Sequence, residues 1–166
     1  MKDYREIINQ LYNENWDESL EASDRLVKIY ESNNQIVDLL IEVLENAESD
    51  NAINATALAL REISDNKAFD ALLKAIEKRK SSNNISTLVY ALENYNCKNH
   101  FLDIFSLFVF SNKADVMLSS YNILTEQVFE VSREDLNIAQ KILNNSGLSY
   151  EDKDIAHNIL KRLSDL

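Results

Sequence analysis

The chain has 166 residues, 28 acidic and 17 basic, for a formal net charge of −11, with one glycine, no proline and one cysteine. A lone Gly147 excludes phosphate-cradling loops, dinucleotide-binding fingerprints and calcium loops, which need glycine where the backbone turns sharply or approaches a ligand. A 45% hydrophobic content at this length suits one domain over 1–166, and the lack of proline between Asn and Ser clusters favours helix, so the expected class is all-α.

The first expected helix covers about 2–14, where Asp3, Arg5 and Glu6 interrupt the apolar residues; no export h-region is present and a cytoplasmic location is expected. Further helices are expected near 17–31, 34–48, 51–64, 67–79, 84–96, 99–111, 114–130, 133–145 and 150–164. The most apolar run, Phe101 to Phe110, holds Asp103 and falls well short of the roughly 20 residues needed to span a bilayer, so no membrane contact is expected. Asn33, Asp50, Asp65, Asn66, Asn83, Ser132 and Ser149 stand at the junctions, where their side chains can accept the orphan N–H groups of a helix start. Ser132 with Asp135 and Ser149 with Asp152 have capping-box spacing, and Gly147 is placed to follow the ninth helix at C′. Lys74, Lys78, Arg79 and Lys80 gather at the end of the fifth helix, where cations oppose the macrodipole.

These segments repeat. Phe69, Leu72, Leu73 and Ile76 form an apolar stripe at i, i+3, i+4 and i+7; 33 residues earlier stand Ile36, Leu39, Leu40 and Val43, and 32 before those Tyr4, Ile7, Ile8 and Leu11. Moving forward 32 gives Phe101, Ile104, Phe105 and Phe108. A second helix type alternates with these: Leu20, Val27 and Tyr30 correspond to Ile53, Leu60 and Ile63, then to Ile85, Leu92 and Tyr95, and Met117 and Leu124 continue the series. Ala59 and Ala91 share one place, where a small side chain lets helices approach closely. The unit is a helical hairpin, present about five times, with a degraded last copy (Leu136, Ala139, Gln140, Leu143) after about four extra residues around 128–132.

Residues 50–76 resemble one unit of the HEAT-like repeats, the variety also found in phycobilisome lyases, through Ala55, Ala57, Ala59, Leu60, Ile63, Asp65, Ala68, Leu72, Leu73 and Ala75. Arg61 and Ser64 stand where that family usually has glycine, Asn66 and Asp70 where it has proline, and Ile53 where it has arginine. The resemblance implies a right-handed α-solenoid, an α-α superhelix of about five HEAT-like hairpins whose second helices line a concave wall, and a family habit of binding proteins.

On second helices, positions off the apolar stripe would stand side by side along such a wall. Asn54, Leu58, Arg61 and Glu62 correspond to Ser86, Tyr90, Glu93 and Asn94, and then to Leu118, Asn122, Thr125 and Glu126; Glu21, Arg25 and Lys28 extend the ridge. The candidate partner-binding residues are therefore Glu18, Glu21, Asn54, Leu58, Arg61, Glu62, Tyr90, Glu93, Asn94, Asn122 and Glu126. Trp16 either closes the open end of the array or offers a further anchor. Cys97 and His100 are three apart, but zinc needs three or four ligands and His157 is the other histidine, so no metal, cofactor or catalytic residue is assigned. Glu151, Asp152 and Asp154 occupy a first helical turn, where the dipole favours acid.

Residues 1–50 hold 13 acidic and 4 basic side chains, a net −9, against −2 for the remainder. That field repels nucleic acid and steers basic protein surfaces inward. The expected function is a non-enzymatic protein-binding module, a monomer or weak dimer, with a basic protein partner such as a nucleic-acid-binding protein or a toxin. Small acidic immunity proteins of bacterial toxins look like this. A HEAT-like lyase or repair enzyme, or an assembly adaptor, are the alternatives.

Overall fold

Apolar residues at i, i+3, i+4 and i+7 share one side of a segment only if it is helical. The computed structural model describes residues 4–82 and 84–165, and among these the regular structure is all helix, with no strand. The expectations for Asn83 as a helix start and for residues 2–3 as the beginning of the first helix lie outside the described residues. No described helix is long and apolar enough to cross a membrane. The chain divides into two compact units, Met1–Tyr95 and Asn96–Leu166.

The first unit holds α1 (Arg5–Gln10), α2 (Trp16–Tyr30), α3 (Gln35–Asn46), α4 (Asp50–Ile63), a 3-10 turn (Asn66–Ala68), α5 (Phe69–Lys78) and α6 (Ile85–Leu92). Consecutive helices pair as α1 with α2, α3 with α4 and α5 with α6, while α3 also packs between α1 and α5, and α4 between α2 and α6. Leu26, Ile36, Leu40, Leu60, Leu72 and Leu88 are fully buried between these layers, and Ala55, Ala59 and Ala91 are fully buried too, so close helix approach follows from missing side-chain volume. The stripe of α1 is less well covered: Leu11 is buried, but Tyr4, Ile7 and Ile8 are half-buried.

The second unit holds α7 (Phe101–Phe110), α8 (Ala114–Glu126), α9 (Arg133–Asn144) and α10 (Tyr150–Ser164). Here α7 packs on both α8 and α9, and α9 on α10, around Ile104, Phe105, Ile123, Leu124, Ala139 and Ala156.

Helix ends depart from expectation for identifiable reasons. α6 stops at Leu92 because the next residues turn with i→i+3 bonds, and Asn94 and Tyr95 donate to the carbonyls of Arg61 and Leu60 at the end of α4, at 3.1 and 2.7 Å. α8 stops at Glu126 because the next segment runs back to α7: Gln127 accepts the Cys97 N–H at 2.9 Å, the Glu130 N–H reaches the Lys98 carbonyl at 2.9 Å, and buried Phe129 meets Phe101 edge-on. That accounts for the extra residues before Ser132.

The capping box of Ser132 with Asp135 is formed, and Ser149 caps α10 through the Asp152 N–H. Asp135, holding hydrogen bonds from the Ser132 hydroxyl and N–H, has its carboxyl pulled below the usual range. Ser49 rather than Asp50 caps α4. Gly147 does not adopt a left-handed C′ conformation; among the described residues that conformation belongs to Ser64, at φ 50° and ψ 32°.

Two of the cations near the end of α5 also reach a neighbouring helix. Arg79 donates to the carbonyls of Leu44 and Ala47, and Lys78 to that of Glu45, so both satisfy the C-terminal end of α3.

Candidate functional site

Because α4 packs on α6, the second-helix positions nominated from the sequence do meet in the first unit. The Arg61 guanidinium lies over the Tyr90 ring, 4.1 Å from its centroid, with Nη1 3.1 Å from Glu62 Oε1 and Nη2 3.7 Å from Glu93 Oε2. Asn94 closes the cluster through its bond to the Arg61 carbonyl. Arg61 and Glu93 are mostly buried while Glu62 projects into solvent. A cation held between two carboxylates and an aromatic face offsets one of the two negative charges, so this surface is less acidic than charge counting implied.

The other nominated residues of this unit lie on α4 and α2. Leu58 and Asn54 are half-buried on α4, and Asn54 Oδ1 is buried without a hydrogen-bond partner. Glu18 and Glu21 are exposed on α2; the Glu18 carboxylate is taken by Asn13 Nδ2 in the preceding turn. In the second unit, Asn122 is half-buried on α8, with its carbonyl accepting from the Thr125 hydroxyl at 3.2 Å, and Glu126 is the exposed last residue of that helix. Trp16 opens α2 and is 37% exposed.

Sequence reasoning missed a cleft of about 1170 Å³ on the other helix layer, between α1 and α3. Its apolar lining comes from Tyr4, Ile8, Tyr12, Leu39 and Val43, with Asp38 and Glu42 on the α3 side and Arg5 on the α1 side. Asp38 also meets Lys67 at 2.6 Å, which holds the lysine pKa above its ordinary value. The stripe residues Tyr4, Ile8 and Leu39 were expected in the core; their incomplete burial marks the cleft, and periodicity carries no signal for it.

Cys97 is fully buried, and burial pushes its thiol up to about 12, so it is neither a ready nucleophile nor a ready metal ligand. His100 faces Asp103 at 3.1 Å. Among the described residues no three His, Cys, Asp or Glu side chains are placed to share a metal ion.

No protein-family model matches the chain significantly, and neither does any curated protein.

Proposed function

We propose that this chain is a non-enzymatic binding module that engages a basic protein surface through its acidic N-terminal part, on a HEAT-like right-handed α-solenoid. The observation carrying this reading is where the acid lies: within residues 4–50 every Asp and Glu, from Glu6 to Asp50, is exposed, in a segment where acid greatly outnumbers base. Charge kept in solvent at such density costs self-repulsion and supplies long-range steering toward cations. The succession α1, α3, α5 in one layer and α2, α4, α6 in the other supports the solenoid reading, since stacked hairpins touch their neighbours in this order. A concrete form is an immunity or inhibitor protein that offers carboxylates where a toxin's nucleic-acid phosphates would sit.

The test is affinity capture at about 0.05 M and about 0.5 M salt, with identification of what is retained. A basic partner released at the higher salt is the expected result. Retention indifferent to salt, or retention of acidic proteins alone, would overturn the electrostatic reading.

A further inference from the structure

On the nominated ridge of α4 and α6 the Arg61 guanidinium is engaged by Glu62, Glu93 and the Tyr90 ring, whereas the α1/α3 cleft leaves its apolar lining partly uncovered. We propose that this cleft is the docking site, and that its occupant is a short basic amphipathic α-helix of the partner. The inference rests on the basic-partner reading and names the surface that reading uses.

Geometry and charge point to the same occupant. Along α3 the cleft runs from Gln35 to Asn46, about 16 Å at 1.5 Å per residue, or three helical turns. Over that length α3 presents two parallel rows at i, i+4: apolar Leu39 and Val43, and acidic Asp38 and Glu42. The opposite wall adds Tyr4, Ile8 and Tyr12, again at i, i+4, i+8, beside Arg5. A helix carrying apolar side chains at i, i+4 and i+7 fills the floor. Its adjoining Lys or Arg row then belongs on the α3 side, where Asp38 and Glu42 stand. The pairing of Asp38 with Lys67 is more than half exposed on both side chains, so it is weak and can be exchanged for an incoming cation. Outside the cleft, exposed Glu6, Glu45 and Glu48 reinforce the attraction.

The experiment is fluorescence anisotropy with the full chain and a labelled, end-blocked peptide of about 12 residues, Leu at i, i+4, i+7 and Lys on one adjoining row. A scrambled peptide of equal composition serves as control. Glu42→Lys is expected to weaken binding about tenfold and flatten its salt dependence. Leu39→Ala is expected to weaken binding without changing the salt slope, and Glu62→Lys on the ridge to leave binding intact, with circular dichroism confirming each fold. Equal binding of the scrambled peptide, or damage from Glu62→Lys instead of Glu42→Lys, overturns the cleft. So does a concentration-dependent dimer in sedimentation without peptide binding, which would make a second copy the occupant. If salt-sensitive capture of basic proteins survives both cleft substitutions, the module reading stands and this inference falls; if neither capture nor peptide binding occurs, both fall.

Discussion

Arg79, at the end of α5, donates to the Ala47 carbonyl at 2.9 Å across 32 residues, one repeat length, and to the Leu44 carbonyl at 3.2 Å. The guanidinium thereby occupies the C-terminal end of α3, whose last carbonyls have no intrahelical partner. The relation recurs elsewhere: Tyr95 and Asn94 reach the end of α4, and Arg162 of α10 reaches the Leu124 and Thr125 carbonyls at the end of α8. A hairpin is therefore tied to its predecessor by polar bonds as well as by apolar contact.

Removing the donor leaves buried acceptors and a void where the Arg79 stem lay. Arg79→Ala is expected to lower stability by about 1–3 kcal/mol in urea unfolding. Both bonds come from the single nitrogen Nη2, so Arg79→Lys, whose ammonium also offers several N–H donors from one atom but on a different stem, should recover part of this. A loss below about 0.5 kcal/mol would show that these carbonyls need no protein partner.

Ser64 holds a left-handed conformation as the C-cap of α4, with its own N–H bonded to the Leu60 carbonyl. Any Cβ there crowds the backbone, and the hydroxyl recovers little through its 3.3 Å bond to the Arg61 carbonyl. Ser64→Gly is expected to raise stability by about 0.5–1 kcal/mol, net of the greater freedom glycine gives the unfolded chain. A lowered thermal midpoint would contradict this.

Ser64 also marks what the sequence could reveal. Gly147 was expected at a C′ position, yet among the described residues the left-handed conformation belongs to Ser64, a backbone state that composition hides. The apolar stripes located α1 to α9, since burial on one side enforces a helical period. Helix ends were less legible because their partners lie one repeat away: nothing near Arg79 says that it serves α3, and nothing near Cys97 says that Gln127 will take its N–H. The cleft was illegible for a related reason. Tyr4 and Leu39 hold the same places in the pattern as buried Phe69 and Leu72, and what differs is how fully neighbouring helices cover them.

High pH should unfold the protein through two hydroxyl- and thiol-bearing residues held neutral in the core. Burial raises the Cys97 thiol from 9.0 to about 12, and burial raises the Tyr95 phenol, its hydroxyl hydrogen-bonded to the Leu60 carbonyl, above its usual 10.0. Below about pH 8 both groups keep their protons folded or unfolded, and stability is unaffected. Above it the unfolded chain loses protons that the fold retains, so stability falls by about 1.4 kcal/mol per pH unit for each group past its unfolded pKa. Circular dichroism across an alkaline titration is expected to show cooperative loss of helix. Cys97→Ala should move that transition to higher pH relative to its own neutral-pH stability, and an unmoved transition would discount the thiol.

The stacking of Arg61 on Tyr90 links a side chain of α4 to one of α6 and decides what the ridge offers a partner. With Arg61 and Glu93 mostly buried, the contact is partly shielded from solvent, so a double-mutant cycle of Arg61→Ala and Tyr90→Ala is expected to give a coupling of about 0.5–1 kcal/mol. One ring face on which a partner's cation could stack is already taken by Arg61, with Tyr90 38% exposed overall. Tyr90→Ala should therefore leave capture of a basic protein within about threefold of the parent, whereas a conventional aromatic hot spot costs at least about tenfold. A capture loss of the larger size, with helical content unchanged, would return the contact surface to the α4 and α6 ridge.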